Sequence, residues 1–174
     1  MVSLSGNNVD LRALEPKDLN FLYELENNPA IWEISGTVAP YAKHVLQDYL
    51  KNAHRDIFEV KQLRLGICNK SEQLIGLIDL FEFDPKNRRV GIGIVVLEEK
   101  DRNKGAGGEA LSLVCEYAFK VLEVRQVFAN VLEDNESSIY LFKKQGFNLI
   151  GNKKDWILSG GRFKNELLFQ KLNS

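Results

Sequence analysis

The sequence predicts an α/β (α+β) fold: one mixed, mostly antiparallel sheet of six to seven strands with helices on both faces. Three observations predict it. Period-two and period-3.6 apolar patterns follow one another in the order β-α-α-β-β-β-α-β-α-β-β. No repeat, low-complexity tract or Pro/Gly-rich linker divides the 174 residues, a length that suits one domain, residues 1–174. The hydrophobic fraction of 44% and charged fraction of 27% are those of a chain with a full core.

The stretch "VDLRAL" (9–14) alternates as a half-buried strand does. Pro16 suits a first helical turn, and Leu19, Leu22 and Leu25 continue at helical spacing. A second helix is predicted from about Tyr41 to His54, with Val45, Leu46, Tyr49 and Leu50 on one face. "QLRLGI" (62–67), "LIGLIDLFEF" (74–83) and "RRVGIGIVVL" read as three strands of an antiparallel meander, the last ending at Leu97 and its turn set by "DPKN". The helix that follows "RNKGAGG" carries Leu111, Val114, Cys115, Ala118 and Leu122 as an apolar stripe. "RQVFANVL" (125–132) is a strand, and Asp134 or Asn135 caps a helix that ends before Gly146. Two closing strands flank Gly160-Gly161, a two-residue hairpin signal.

Composition excludes several functions. Lys plus Arg number 23 and Asp plus Glu 24, a net charge of −1, which argues against nucleic-acid binding through a basic surface. No apolar run approaches the roughly 20 residues of a membrane span, and "MVSLSGNNVD" lacks secretory character, so a cytoplasmic protein is expected. Cys68 and Cys115 are far apart and read as reduced thiols. His44 and His54 stand ten apart with no carboxylate pattern for zinc, so no metal is expected.

The chemistry concentrates at "RNKGAGG" (102–108). Free N–H groups and the dipole make a helix start electropositive, and glycines let an anion reach that backbone. Strand, loop and helix therefore form a phosphate cradle, with Arg102 and Lys104 adding charge. "GAGGEA" formally matches a dinucleotide fingerprint, but a charged loop separates it from an antiparallel strand, and no G-K-[ST] supports a P-loop.

These residues resemble the Q/R-x-x-G-x-G/A signature of GNAT-superfamily N-acetyltransferases, with Arg102, Gly105 and Gly107 in its fixed places. "NESSIYLFKKQGF" (135–147) resembles the superfamily's later motif, and the opening and closing segments are similar to the RimJ/RimL branch and the SpeG spermidine acetyltransferases. The resemblance implies acetyl-CoA as cosubstrate. Its pyrophosphate would rest on Arg102, Asn103, Lys104, Gly105, Ala106, Gly107 and Gly108. Its pantetheine arm would pair with backbone at Val95, Val96 and Leu97, where two strands splay, and Asn135 and Phe142 would lie near the cofactor. Phe142 holds the place where many relatives carry a tyrosine acid, while Tyr140 should face elsewhere on the helix. Asp79 and Glu82 are the acids expected to receive an ammonium. They lie on opposite strand faces unless a bulge intervenes, and Glu33 beside Trp32 is the reserve. Where SpeG proteins carry acids, this chain has Gly91 and Val38-Ala39. The implied acceptor is a primary amine, on a small polyamine or diamine or on a protein N-terminus, and the implied assembly is a homodimer. A non-catalytic acetyl-CoA-binding module is the alternative of another class.

Overall fold

The structure, a computed structural model, describes residues 2–97 and 105–174. β1 (Val9–Ala13) buries Val9 and Leu11. Pro16–Asp18 then form a single 3-10 turn, which Asp18 fastens by accepting from Glu15 N (2.8 Å) and from Arg12 Nη1 (2.7 Å). α1 (Leu19–Glu26) follows, turning Leu22 and Leu25 inward.

Two further helices depart from the predicted order. α2 (Pro29–Ser35) has a complete set of end signals: Asn28 accepts from Ala30 N (3.0 Å), Pro29 opens the first turn, and Gly36 closes it with φ of 71°. It buries only Ile31, so it shows almost no apolar period. α3 (Lys43–Lys51) is the expected second helix, shorter at both ends; Leu46 and Leu50 are buried, whereas Val45 is exposed. α4 (Ile57–Val60) is one turn capped by Asp56.

β2 (Leu63–Asn69), β3 (Leu74–Asp84) and β4 (Arg89–Val96) form the antiparallel meander. α5 (Ala106–Lys120), β5 (Gln126–Leu132) and α6 (Glu136–Lys144) come next. β6 (Asn148–Ser159) and β7 (Arg162–Leu172) close the chain as a hairpin, with Gly160 and Gly161 at φ of 58° and 78°. Both turn positions need positive φ, which glycine adopts without strain.

The seven strands form one sheet in the order β1-β2-β3-β4-β5-β7-β6, parallel only between β4 and β5. One face packs against α5 and α6, with Ile78, Leu80, Ile92, Leu111, Val114 and Val127 at its centre. The other is covered by α1 to α3 through Leu22, Leu25, Leu46, Leu50 and Leu77. No helix among the described residues is long and apolar enough to cross a membrane.

Candidate active site

The parallel pair at the middle of the sheet is short. β4 and β5 pair only at Arg89–Gln126, Val90–Val127 and Gly91–Phe128. Beyond Gly91, β4 stays with β3 while β5 stays with β7, so the two strands part. The start of α5 stands beside β4 there, a Cβ on Gly107 lying 3.7 Å from Ile94. This is the expected splay.

The register decides which backbone groups of β4 face it. Leu97 N donates to Ile75 O (3.0 Å), so Leu97 and, two residues back, Val95 turn their amides toward β3. Val96 and Ile94 turn theirs toward β5. Of Val95, Val96 and Leu97, the three residues expected along the cofactor arm, Val96 turns its amide toward the splay, as Ile94 does. Backbone edges alternate along a strand as side-chain faces do, which is why Ile94 and Val96 share one edge and Val95 and Leu97 the other.

The glycine segment divides in two. Gly105 precedes α5 in the left-handed region, φ of 80°, with no side chain to cap it and nothing within 4 Å of a Cβ there. Ala106 is buried, and Gly107 and Gly108 lie within the first turn. A Cβ on Gly107 would stand 3.6 Å from Leu141 and 3.7 Å from Ile94, and one on Gly108 would stand 3.0 Å from Gln145. These two glycines therefore bring α5 close to α6 as well as baring its N–H groups. Arg102, Asn103 and Lys104 lie outside the described residues.

Asn135 is the N-cap of α6, its Oδ1 accepting from Ser138 N (3.2 Å). Phe142 is 3% exposed, edge-on to Phe147 at 5.0 Å and stacked near Phe169 at 6.4 Å. Its ring belongs to the core. Tyr140 is 66% exposed on the other side of α6, under Lys144, as the helical count requires.

Of the acids expected to receive the acceptor, Asp79 and Glu33 are paired with cations of the chain and Glu82 is exposed. Asp79 takes a two-pronged bond from Arg64, Nε at 2.7 Å and Nη2 at 3.1 Å, while Arg64 Nη1 binds Glu26 at 2.7 Å. Burial opposes the Arg64 charge, but Asp79, Tyr49 and Glu26 outweigh it and raise its pKa. Burial also raises the Tyr49 phenol, which lies against Arg64, so it is protonated at neutral pH. Glu82 is the residue of a bulge between Phe81 and Asp84, has φ of 49° and is exposed. A bulge, the exception to the opposite-face expectation for these two acids, is present, and Glu82 on it is exposed. Glu33 binds Lys164 (2.5 Å) and Ser159, and Lys164 also binds Asp134 (2.7 Å). This cluster ties α2 to the β6–β7 hairpin and the start of α6. Sequence reading missed it because its members are 100 and more positions from Glu33.

At the apex of the splay the floor is aromatic. Phe81 stands edge-on to Phe128 at 5.7 Å, and a Cβ on Gly91 would lie 2.4 Å from the Phe81 ring. The side chain missing at Gly91 is replaced by that ring. No cluster of three or more His, Cys, Asp or Glu that could hold a metal occurs among the described residues.

Residues 8–148 match the family model described as acetyltransferase (GNAT) domain. Spermidine N(1)-acetyltransferase of Escherichia coli (strain K12) is 28% identical over 163 residues, 94% of this chain and 85% of that protein. The Vibrio cholerae spermidine N(1)-acetyltransferase is 26% identical over 160 residues, 92% and 90% of the two chains. The crystal structure of spermidine N-acetyltransferase from Vibrio cholerae in complex with CoA and spermine superposes with a TM-score of 0.85 at 24% identity, covering 94% of this chain and 95% of that one. A match over most of the length, on a sheet that parts beside a glycine-opened helix, fixes the assignment: the chain belongs to the GNAT acetyltransferase domain family.

Proposed function

We propose that residues 1–174 act as one acetyl-CoA-dependent N-acetyltransferase domain whose acceptor is a primary amine of a small polyamine or diamine. The observation that carries the reading is the parting of β4 and β5 beside the bare first turn of α5. It combines an anion-binding helix end with a strand pair that parts in the middle of the sheet, an arrangement suited to a pyrophosphate and an amide-rich arm. The names of the spermidine-acetylating relatives support the acceptor class.

In this proposal the N–H groups of Gly105 to Gly108, with Arg102 to Lys104 before them, hold the pyrophosphate. The β4 edge at Ile94 and Val96 aligns the arm and polarises the thioester carbonyl, a contribution on the order of 3 kcal/mol per donor. The amine attacks as the free base, having lost the proton of an alkylammonium with pKa of about 10. The N–C bond forms, the C–S bond breaks, the electron pair leaves on sulfur, and the amine's surplus proton passes to solvent or to the departing thiolate. Tyr140 is turned to solvent and Phe142 has no proton to give, so the thiolate departs unaided, which a thiol pKa of about 8.5 allows.

A second reading, acetylation of a protein N-terminal α-amine, is favoured by the pairing of Asp79, Glu26, Glu33 and Asp134 with the chain's own cations. That leaves an aromatic floor at Phe81 and Phe128, with Glu82 the candidate acid not paired to a cation among the described residues. The assembly proposed is a homodimer, which the exposed Trp156, Leu158 and Phe163 of the hairpin would serve by losing water. The deciding experiment supplies acetyl-CoA with spermidine, spermine, aliphatic diamines and short peptides and follows free thiol. Turnover on polyamines alone supports the first reading and on peptides alone the second. Tight acetyl-CoA binding with no turnover on any amine would leave a binding module.

A further inference from the structure

Glu109 stands at the fourth position of α5, and its carboxylate lies in a clasp of backbone. Asn7 N donates to Oε1 at 2.7 Å, and Asn8 N and Val9 N donate to Oε2 at 2.7 and 2.8 Å. Gly6 makes the bend that directs these three groups. Its N–H bonds Val9 O at 2.8 Å, and a Cβ on it would fall 2.5 Å from Glu109 Cδ. Leu11 N to Leu4 O (2.8 Å) carries the segment on along β1. Burial raises the Glu109 carboxyl, but the bonds from Asn8, Asn7 and Val9 outweigh it and hold it below the ordinary glutamate value.

The same helix end is the one proposed to bind pyrophosphate. A free carboxylate in a first turn interacts favourably with the helix dipole and so competes with an anionic ligand for it. The first turn also lacks its usual side-chain anchor, because Gly105 cannot cap it.

The geometry points to Glu109 as a positioning residue for acetyl-CoA: clasped by Asn7, Asn8 and Val9, it anchors the first turn of α5 to β1 and keeps its own charge away from the ligand end of the helix. This rests on the pyrophosphate reading of the segment from Gly105 to Gly108.

The test is Gly6→Ala. The methyl group displaces the flexible end of Glu109 from its clasp while the backbone of Gly6, which has no positive φ, is unstrained. Acetyl-CoA Kd and KM should rise about 2- to 5-fold, the effect of one unit charge at a helix end. The kcat at saturating acetyl-CoA and the amine KM should stay put. Adding Glu109→Gln to Gly6→Ala removes the displaced charge and should recover at least half of the lost affinity. A measurement without mutation stands beside it. Coupling is reciprocal, so acetyl-CoA should slow hydrogen exchange at the amides of Asn7, Asn8 and Val9 in the unaltered chain by a similar factor. Normal acetyl-CoA binding by Gly6→Ala, a loss that Glu109→Gln does not recover, or unchanged exchange at the three amides overturns the inference. An unaltered chain that binds no acetyl-CoA overturns the proposed function along with it.

Discussion

Replacing Asp79 by asparagine removes one charge from the Glu26–Arg64–Asp79 cluster, and the loss should register as stability rather than as acceptor binding. Asp79 offers Arg64 two oxygens, at 2.7 and 3.1 Å. Asparagine keeps one and turns an N–H₂ donor toward the guanidinium, which forfeits one charge-assisted bond of about 1.5–3 kcal/mol. Two offsets reduce this. The Asp79 side chain is 25% exposed, so solvent screens part of the pair. Removing its charge also relieves repulsion with Glu26 across the same arginine. A net cost of about 1–2 kcal/mol remains. For a chain of this size that is a fall in Tm of roughly 2–8 °C. Arg64→Met should cost more, about 3–5 kcal/mol, because it leaves two carboxylates facing each other without their cation. Urea and thermal unfolding, followed by tryptophan fluorescence, give the stabilities, and thiol release at varied amine gives KM. If Asp79→Asn unfolds like the parent while its amine KM rises tenfold or more, Asp79 receives the substrate ammonium and its pairing with Arg64 is incidental.

Four other outcomes follow from the geometry. Tyr140→Phe should leave kcat unchanged, and a drop of the 10²-fold size expected for a lost general acid would reinstate that tyrosine. Phe142→Tyr should lower stability by about 1–3 kcal/mol, since its hydroxyl enters the cluster of Phe147 and Phe169 without a partner; a rise in Tm would contradict that. Lys164 is raised by Asp134 and Glu33, whose carboxyls are lowered by Lys164. The raised lysine contributes fully below about pH 10.4 and is lost above it, and the lowered acids contribute above about pH 4 and are lost below it. The tie between α2 and the hairpin should therefore hold from about pH 5 to 10, checked by hydrogen exchange in α2, and an opening near pH 7 would refute it. Burial pushes the Cys115 thiol up to about 12, and Cys68 is buried as well. The folded protein at pH 8 should thus be silent to a thiol reagent that titrates both cysteines in urea, so product thiol can be read without a protein background.

Most of the fold was legible because its signals are local. Alternation marks β1, apolar segments bounded by turn residues mark β2 to β4, the Gly160-Gly161 turn marks the hairpin, and the glycine segment marks the start of α5. α2 escaped because one buried residue, Ile31, makes no period, although Asn28-Pro29 and Gly36 spell its ends. The splay and the glycine-opened start of α5 were legible in outline for the same reason: they are backbone features, and glycines in sequence tell where backbone is bare. Its detail depends on register, which separates Val96 and Ile94 from Val95 and Leu97. The acceptor side was not legible. Whether Asp79 or Glu33 is free depends on Arg64 and Lys164, and nothing near either acid in sequence announces its partner. The bulge at Glu82 is likewise a tertiary fact, visible only once Phe83 and Leu80 share a core face.

The brief pairing of β4 with β5 has a consequence for how the molecule comes apart. On one side of that seam lie four antiparallel strands; on the other lie β5, β7 and β6, and each group satisfies most of its backbone internally. Cooperativity between them rests, among the described residues, on three residue pairs, on the bonds of Arg88 to Glu123, Arg125 and Gln126, on the tie from Glu33 to Lys164, and on the helices that span the faces. Without a ligand the seam is therefore the natural line of sub-global opening, with exchange protection on either side decaying separately. A molecule lodged in the gap and touching both strands would add a link across the seam. It would weld two semi-independent halves into one unfolding unit, so that occupancy sharpens the melting transition as well as raising its midpoint.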